Sequence, residues 1–282
     1  MSLLKFLGSL EDGARAEAAL IGVPYDSTSS YRSGARFGPN AIREASHSLE
    51  SYSAFLDRDL ANRDYVDLGD VNVGPRNPGE VIEIVHREVS NIINKGLKPI
   101  ILGGEHTITV GAFRAMLEKY PNLNVLQIDA HADFRDEYYG EKFSHATVMK
   151  RIAELIPSDR IHRLGIRSGS KEELLEAGIF LPIDSEEKCK RIPEVIQGIS
   201  ENAPLYLTLD LDVFDPSLIP GVGNPEPMGI TFREFIQITR GLAYHKIVGC
   251  DIVELAPQYD SAGVSSIVAA SVVRDLLLIM LL

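Results

Sequence analysis

Short apolar runs recur along this chain, separated by stretches whose apolar residues fall at helical spacing. Ala18–Val23, Tyr65–Leu68, Pro99–Leu102, Val125–Asp129, Ile161–Ile166, Leu205–Asp210 and Ile247–Val253 are continuous rather than alternating. Strands covered on both faces, as in a parallel sheet, have that pattern. Between them, Pro39–Leu49 opens on a proline, which suits the first turn of a helix. Pro78–Lys95 carries Val81, Ile82, Val85, Val89, Ile92 and Ile93 along one side and stops at Gly96. Thr231–Leu242 and Val264–Leu278 are two further predicted helices. The alternation predicts an α/β fold: one three-layer α/β/α domain over residues 1–282, built on a mostly parallel sheet. No linker composition or internal repeat divides it.

In sheets of this kind ligands bind beyond the carboxyl ends of the strands. Four strand ends carry polar groups there. Pro99–Leu102 leads into GGEHT with His106, and Val125–Asp129 into D-A-H-A-D with Asp129, His131 and Asp133. Leu205–Asp210 leads into D-L-D with Asp210 and Asp212, and Ile247–Val253 into Glu254. Residues at i, i+2 and i+4 of an extended chain share a side, so Asp129, His131 and Asp133 converge as far as the strand persists, and Asp210 and Asp212 likewise. Clustered carboxylates at an apolar strand end repel one another and are costly to desolvate. One alternative is that they cap the helices that follow. The combined pattern instead calls for a cation, and the donors choose it: mostly carboxylate oxygen, two imidazoles and no thiolate, a set that favours Mn²⁺ or a similar ion over structural zinc. There are enough donors for two ions. A pair about 3.5–4 Å apart can bridge a water and make it a hydroxide nucleophile near neutral pH. Four aspartates, two divalent ions and one hydroxide sum to −1, which suits a cationic electrophile.

GGEHTIT, DAHADFRDE, FSHATVMKRI, LTLDLDVFDPSLIPGVGNPEPMGIT and DIVELAP stand in the order and spacing of the ureohydrolases, the arginase/agmatinase family. GVPYDSTSSYRSGARFGPNAIREAS resembles that family's N-terminal signature, and the resemblance runs from about Leu20 to about Leu278. It implies an arginase-like fold and two Mn²⁺ per subunit. His106, Asp129, Asp133 and Asp210 would hold one ion and Asp129, His131, Asp210 and Asp212 the other. It further implies that Asp133 orients the nucleophile, that Glu254 binds the guanidinium, and that His145 moves protons or holds the leaving amine. The stretch FRDEYYGEKFSHAT offers Asp136, Glu137 and Glu141 and no asparagine. It looks like the agmatinase branch, which takes a small cationic guanidine and releases putrescine and urea. N1-aminopropylagmatine and arginine are the alternative substrates, and a metal-binding but non-catalytic relative is the alternative of a different class. Ala146, Asn224 and Met228 depart from the branch's usual wording.

The balance of 40 acidic against 28 basic residues, net −12, predicts no nucleic-acid partner. Cys189 and Cys250 make no disulfide framework, so reduced thiols and a cytoplasmic protein are expected. MSLLKFLG lacks the features of a signal peptide. The terminal run SIVAASVVRDLLLIMLL carries Arg274 and Asp275 and is predicted to be a buried closing helix rather than a membrane span. Arg36 and Arg43 are read as structural ties to nearby carboxylates. By analogy with the family, a homo-oligomer, trimer or hexamer, is expected.

Overall fold

The computed structural model describes residues 4–179 and 185–282. All seven predicted strands form: β1 (Ala18–Val23), β2 (Tyr65–Asp70), β3 (Lys98–Gly103), β4 (Asn124–Ile128), β5 (Ile161–Leu164), β6 (Leu205–Asp210) and β7 (Ile247–Val253). They make one sheet in the order β2-β1-β3-β7-β6-β4-β5. Every neighbouring pair is parallel. The continuous apolar runs are explained by cover on both faces: β1, β6 and β7 are buried at every residue. Only the edge strands β2 and β5 include less buried positions among these predicted runs.

Eight helices flank the sheet among the described residues: α1 (Gly38–Ser46), α2 (Pro78–Asn94), α3 (Thr109–Lys119), α4 (Val148–Ala153), α5 (Lys171–Glu176), α6 (Ser185–Gly198), α7 (Phe232–Leu242) and α8 (Val264–Met280). One apolar core joins α1, α6, α7 and α8 to the sheet through Ile42, Ile196, Phe235 and Leu276. A second joins α2, α3, α4 and α5 on the opposite face through Val85, Phe113, Ile152 and Leu174. This is the expected three-layer arrangement. Asn77 caps α2 and Thr231 caps α7, each in a reciprocal box with a glutamate three residues on. Helix α3 leaves the GGEHT turn with no side-chain cap. A Cβ at its Gly111 would lie 2.3 Å from the Ile82 carbonyl oxygen, so glycine there lets α3 lie close against α2. Helix α8 is buried over most of its length, and Arg274 Nη2 pairs with Asp275 Oδ1 at 2.9 Å inside it. No helix among the described residues is long and apolar enough to cross a membrane. Cys250 is buried and free, whereas the side chain of Cys189 lies outside the described residues.

Both arginines read as ties are ties. Arg36 Nη1 meets Asp26 Oδ1 at 2.8 Å. Arg43, 1% exposed, crosses from α1 to β2, with Nε and Nη2 on the two oxygens of Asp67 at 2.8 and 3.0 Å and Nη1 on Asp70 at 2.5 Å. Asp67 in turn accepts the backbone N–H groups of Phe6 and Gly69. Arg43→Leu strands a buried carboxylate, and a loss of about 3–5 kcal/mol in denaturant unfolding is expected.

Candidate metal centre

The chain leaves β4 toward the edge strand β5 but leaves β6 in the opposite direction, toward β7. The two strands are neighbours, so a crevice opens between their carboxyl ends, where connections part to opposite sides. Asp129 and Asp210 stand at its two rims. His106 enters from the end of β3, and Glu254 from the end of β7.

The route by which D-A-H-A-D converges differs from the extended alternation expected. Strand β4 ends at Ile128, not Asp129, and β5 ends at Leu164, two residues short of the predicted limit. Beyond β4 the chain is held to the end of β5 by Asp129 N–H to Leu164 O and to the loop that follows by a bridge between His131 and Ser168. Asp133 then adopts φ 49°, in the left-handed region, which turns it back toward the crevice. Glu254 does the same at φ 69°. Non-glycine residues held this way are costly and cluster at functional sites. Asp210 does cap a turn: its Oδ1 accepts Asp212 N–H at 2.8 Å. Its Oδ2 nevertheless faces His106, so capping and site roles coexist in one carboxylate.

The donor atoms lie close together. His106 Nδ1 is 3.0 Å from Asp133 Oδ2, 3.3 Å from Asp129 Oδ2 and 3.5 Å from Asp210 Oδ2. His131 Nδ1 is 2.9 Å from Asp212 Oδ2 and 3.9 Å from Asp129 Oδ1. Among the described residues two groups could hold an ion, His106–Asp129–Asp210 and Asp129–His131–Asp212, with Asp129 common to both. The protonation of His106 can be read from its neighbours. Thr208 spends its one hydroxyl proton on Asp251 Oδ1 at 2.7 Å. Its oxygen therefore accepts from His106 Nε2–H at 2.8 Å. In the neutral ring Nδ1 is then a bare lone pair. It is buried, has no hydrogen-bond partner, and points at three carboxylates. That atom suits a cation. In the absence of a metal ion burial disfavours the charged His106 ring, but Asp129 and Asp133 outweigh it and raise the ring well above its ordinary value, so that a proton takes the place.

Four residues that build the centre were not singled out from the sequence. Gln127, Thr208 and Asp251 are fully buried. Gln127 Nε2 donates to Asp129 Oδ2 and to His131 O, both at 2.9 Å, fixing the two donors relative to each other. Asp251 accepts from Thr208 and from Tyr206 Oη at 2.7 Å. Arg167 spans the loops behind His131, donating to the carbonyls of Gly165, Asp212, Val213, Glu226 and Pro227 at 2.7–3.2 Å. The signal available for the first three was a polar residue inside an otherwise apolar strand.

A cavity of about 350 Å³ opens above the donors, lined by His131, Asp133, His145, Asp210, Asp212 and Glu254, with Arg135, Tyr138 and Asn224 at its walls. Glu254 Oε1 accepts the His106 backbone N–H at 2.8 Å. The position a Cβ would take at Gly223 lies 3.2 Å from Glu254 Oε2, so the glycine leaves that oxygen room. The acidic stretch after Asp133 behaves differently from expectation. Asp136 is bound at 2.5 Å by the buried guanidinium of Arg151, so its charge is already matched. Arg135, from the same stretch, pairs with Glu173 at 3.4 Å and lies over the Tyr138 ring. Glu141 instead lines an adjoining cavity of about 430 Å³ with Tyr25, Tyr138 and Tyr139. Tyr31 is exposed. Met228 takes φ 63°, in the left-handed region.

The bare donor set is electrically crowded. Burial and the nearby Asp129 push Asp133 up to about 7. Burial, with Asp212 and Asp129 beside it, raises Asp210 well above the carboxylate range, and burial with Glu105 does so for Glu254. Burial disfavours the charged His131 ring, but Asp212 outweighs it and lifts the group to about 10. Protons thus compete for the place of a cation. His145 goes the other way: burial first, then the His131 and His106 rings, lower it to about 4, so it is neutral near pH 7.

A parallel sheet whose carboxyl edge closes carboxylates and imidazoles around a small polar cavity is the architecture of the ureohydrolases, and likeness to known proteins agrees. The chain belongs to the arginase family, whose profile matches residues 16–279. It is 39% identical over 278 residues to an agmatinase of Bacillus subtilis, covering 97% of this chain and 95% of that protein. It is 37% identical over 259 residues to an N(1)-aminopropylagmatine ureohydrolase of Thermococcus kodakarensis, covering 90% and 87%. The crystal structure of agmatine ureohydrolase of Thermoplasma volcanium superimposes with a TM-score of 0.89 at 36% identity, over 99% of this chain and 95% of that one.

Thr208→Val removes the hydroxyl that fixes the His106 tautomer while keeping the side-chain volume. Metal affinity is expected to fall about 10- to 100-fold, as for other lost partners of ligating histidines, measured by metal titration of the folded protein.

Proposed function

We propose that this protein hydrolyses the guanidinium group of agmatine, giving putrescine and urea, with two Mn²⁺ held by the carboxylate–imidazole edge. His106, Asp129, Asp133 and Asp210 would hold one ion, and Asp129, His131, Asp210 and Asp212 the other. The observation that carries the reading is the bare Nδ1 of His106 aimed at three carboxylates beneath a cavity walled by Glu254. The oxygen-rich donor set suits Mn²⁺, and the ions when bound supply the charge that ionises a water near neutral pH.

The protein's own groups supply the rest. Glu254, held from behind by the His106 N–H, leaves Oε2 for the guanidinium. Asp133, turned inward by its left-handed backbone, orients the attacking oxygen. Holding the two partners together is worth several kcal/mol of the barrier, on the order of 7–11 in favourable cases. His145 is neutral at working pH, so it can accept a proton and pass it to the departing amine. Four aspartates balance two divalent ions, and Glu254 tips the cavity toward a cationic substrate.

An amine tail is supported by Glu141 in the adjoining cavity and by the engagement of Arg135 with Glu173, which leaves that cation partnered rather than free for an α-carboxylate. The two cavities share Tyr138. That observation favours N1-aminopropylagmatine as the second reading, because a longer amine could occupy both. We further propose a cytoplasmic homo-oligomer, acting as one ureohydrolase unit over the whole chain.

Urea release from the Mn²⁺-loaded protein, with agmatine, arginine and N1-aminopropylagmatine in parallel, tests the reading. Fastest turnover is expected with agmatine. Preference for the longer amine would move the assignment to the second reading, and no urea from any guanidine would refute both. Asp129→Asn is expected to abolish urea release and lower bound manganese in metal analysis; full activity with both ions retained would remove Asp129 from the shared position.

A further inference from the structure

Behind His145 lies a partly buried run of hydrogen bonds that neither the donor set nor the cavity explains. It starts at Glu105, which is fully buried. A Cβ at the preceding Gly104 would lie 1.8 Å from the Tyr25 carbonyl oxygen, so only glycine lets this turn press against the loop after β1. Glu105 Oε2 accepts Thr28 N–H at 2.7 Å. Its Oε1 accepts two hydroxyls, from Thr28 at 2.6 Å and Thr107 at 2.8 Å. A carboxylate only accepts, so the single hydroxyl proton of Thr28 is committed to Glu105.

The remaining lone pairs of Thr28 Oγ1 turn to His145. They accept its backbone N–H at 3.1 Å and face ring Nδ1 at 3.4 Å. An oxygen with no proton left to give can hold Nδ1 only if Nδ1 carries the proton. Nε2 is then the open nitrogen, with Ser30 Oγ at 3.2 Å free to donate to it. Tyr138 packs edge-on against the ring at 5.5 Å and 86°, fixing its plane.

We propose that Glu105 and Thr28 are positioning residues that lock neutral His145 as the Nδ1–H tautomer, so that Nε2 alone takes up and delivers the proton of the reaction. This rests on the ureohydrolase reading above. Water adds its oxygen to the guanidinium carbon and the carbon–amine bond breaks. One water proton passes to Nε2 and on to the leaving amine; the other, lost to solvent as the nucleophile ionises, returns to that nitrogen, which departs as an ammonium beside neutral urea. Throughout, Nδ1–H stays on Thr28, and the transient imidazolium is backed through that hydroxyl by Glu105.

The tautomer is read directly from ring-nitrogen NMR of metal-free, ¹⁵N-histidine-labelled protein, with the His145 signals identified by their loss in His145→Gln. The expected wild-type spectrum has a pyrrole-type Nδ1 and a pyridine-type Nε2. Glu105→Gln reverses the chain. Thr28 N–H keeps the amide oxygen at the Oε2 position, the amide NH₂ faces the Thr28 hydroxyl, and that hydroxyl is released to donate to Nδ1. The ring should switch to the Nε2–H form. Thr28→Val should give mixed tautomers, with kcat lowered on the order of 10- to 100-fold, part of what an acid–base group contributes, at little changed KM. Thr28→Ser should restore both. A wild-type ring protonated on Nε2, or unchanged ring signals in Glu105→Gln, would overturn the proposal, and neither result depends on turnover. Expected ring signals with no urea from any guanidine would count against the function proposed above and leave the tautomer assignment standing.

Discussion

Four aspartates packed within a few ångströms of each other in a buried crevice are the constraint around which this protein is organised. Their mutual repulsion and desolvation are unfavourable, and the carboxylates are brought together by separate elements, the loop after β4 and the end of β6. A fold can impose such crowding only from a rigid base. Parallel strands buried on both faces provide one, and the parting of connections between β4 and β6 leaves the opening.

The groups that stabilise the crevice lie beneath and behind it. Gln127 ties Asp129 to the His131 backbone, Thr208 and Asp251 orient His106, and Arg167 gathers five carbonyls from the connections after β5 and β6. Gln127 and Arg167 donate, Asp251 accepts and Thr208 does both, so the metal-facing groups meet the cavity in one arrangement. Preorganisation of this kind lets a site act on its substrate without reorganising during the reaction.

Much of this is legible in the sequence, for identifiable reasons. Burial on both faces turns each strand into a continuous apolar run, so seven strands can be read, with errors confined to their ends. Helices α3 to α6 are harder. Helix α3 starts without a side-chain cap and contains Gly111, α4 and α5 are only six residues each, and α6 carries Pro193. The D-x-H-x-D and D-x-D spacings bring the right residues together, although a left-handed turn at Asp133 rather than an extended strand does the work. The acidic loop misleads because the spacing of Asp136 cannot reveal that Arg151, 15 residues on, has claimed it. Gln127, Thr208 and Asp251 are visible as polar residues in apolar strands, but their roles depend on neighbours from other strands.

The positive φ angles at Asp133 and Glu254 bear on how substitutions there are to be interpreted. At each position the side chain and the backbone make separate demands: a carboxylate for the chemistry, and a left-handed conformation for the chain path. Alanine removes the first and strains the second, so an inactive alanine variant confounds charge with geometry. Asparagine tolerates the left-handed region about as well as aspartate does. At 133 it is therefore the replacement that removes the carboxylate while sparing the backbone. At 254 glutamine plays the same part, since it keeps the length and meets the left-handed backbone at the cost glutamate already bears. Both strained carboxylates can therefore be probed by their amides, whereas alanine at either confounds two losses.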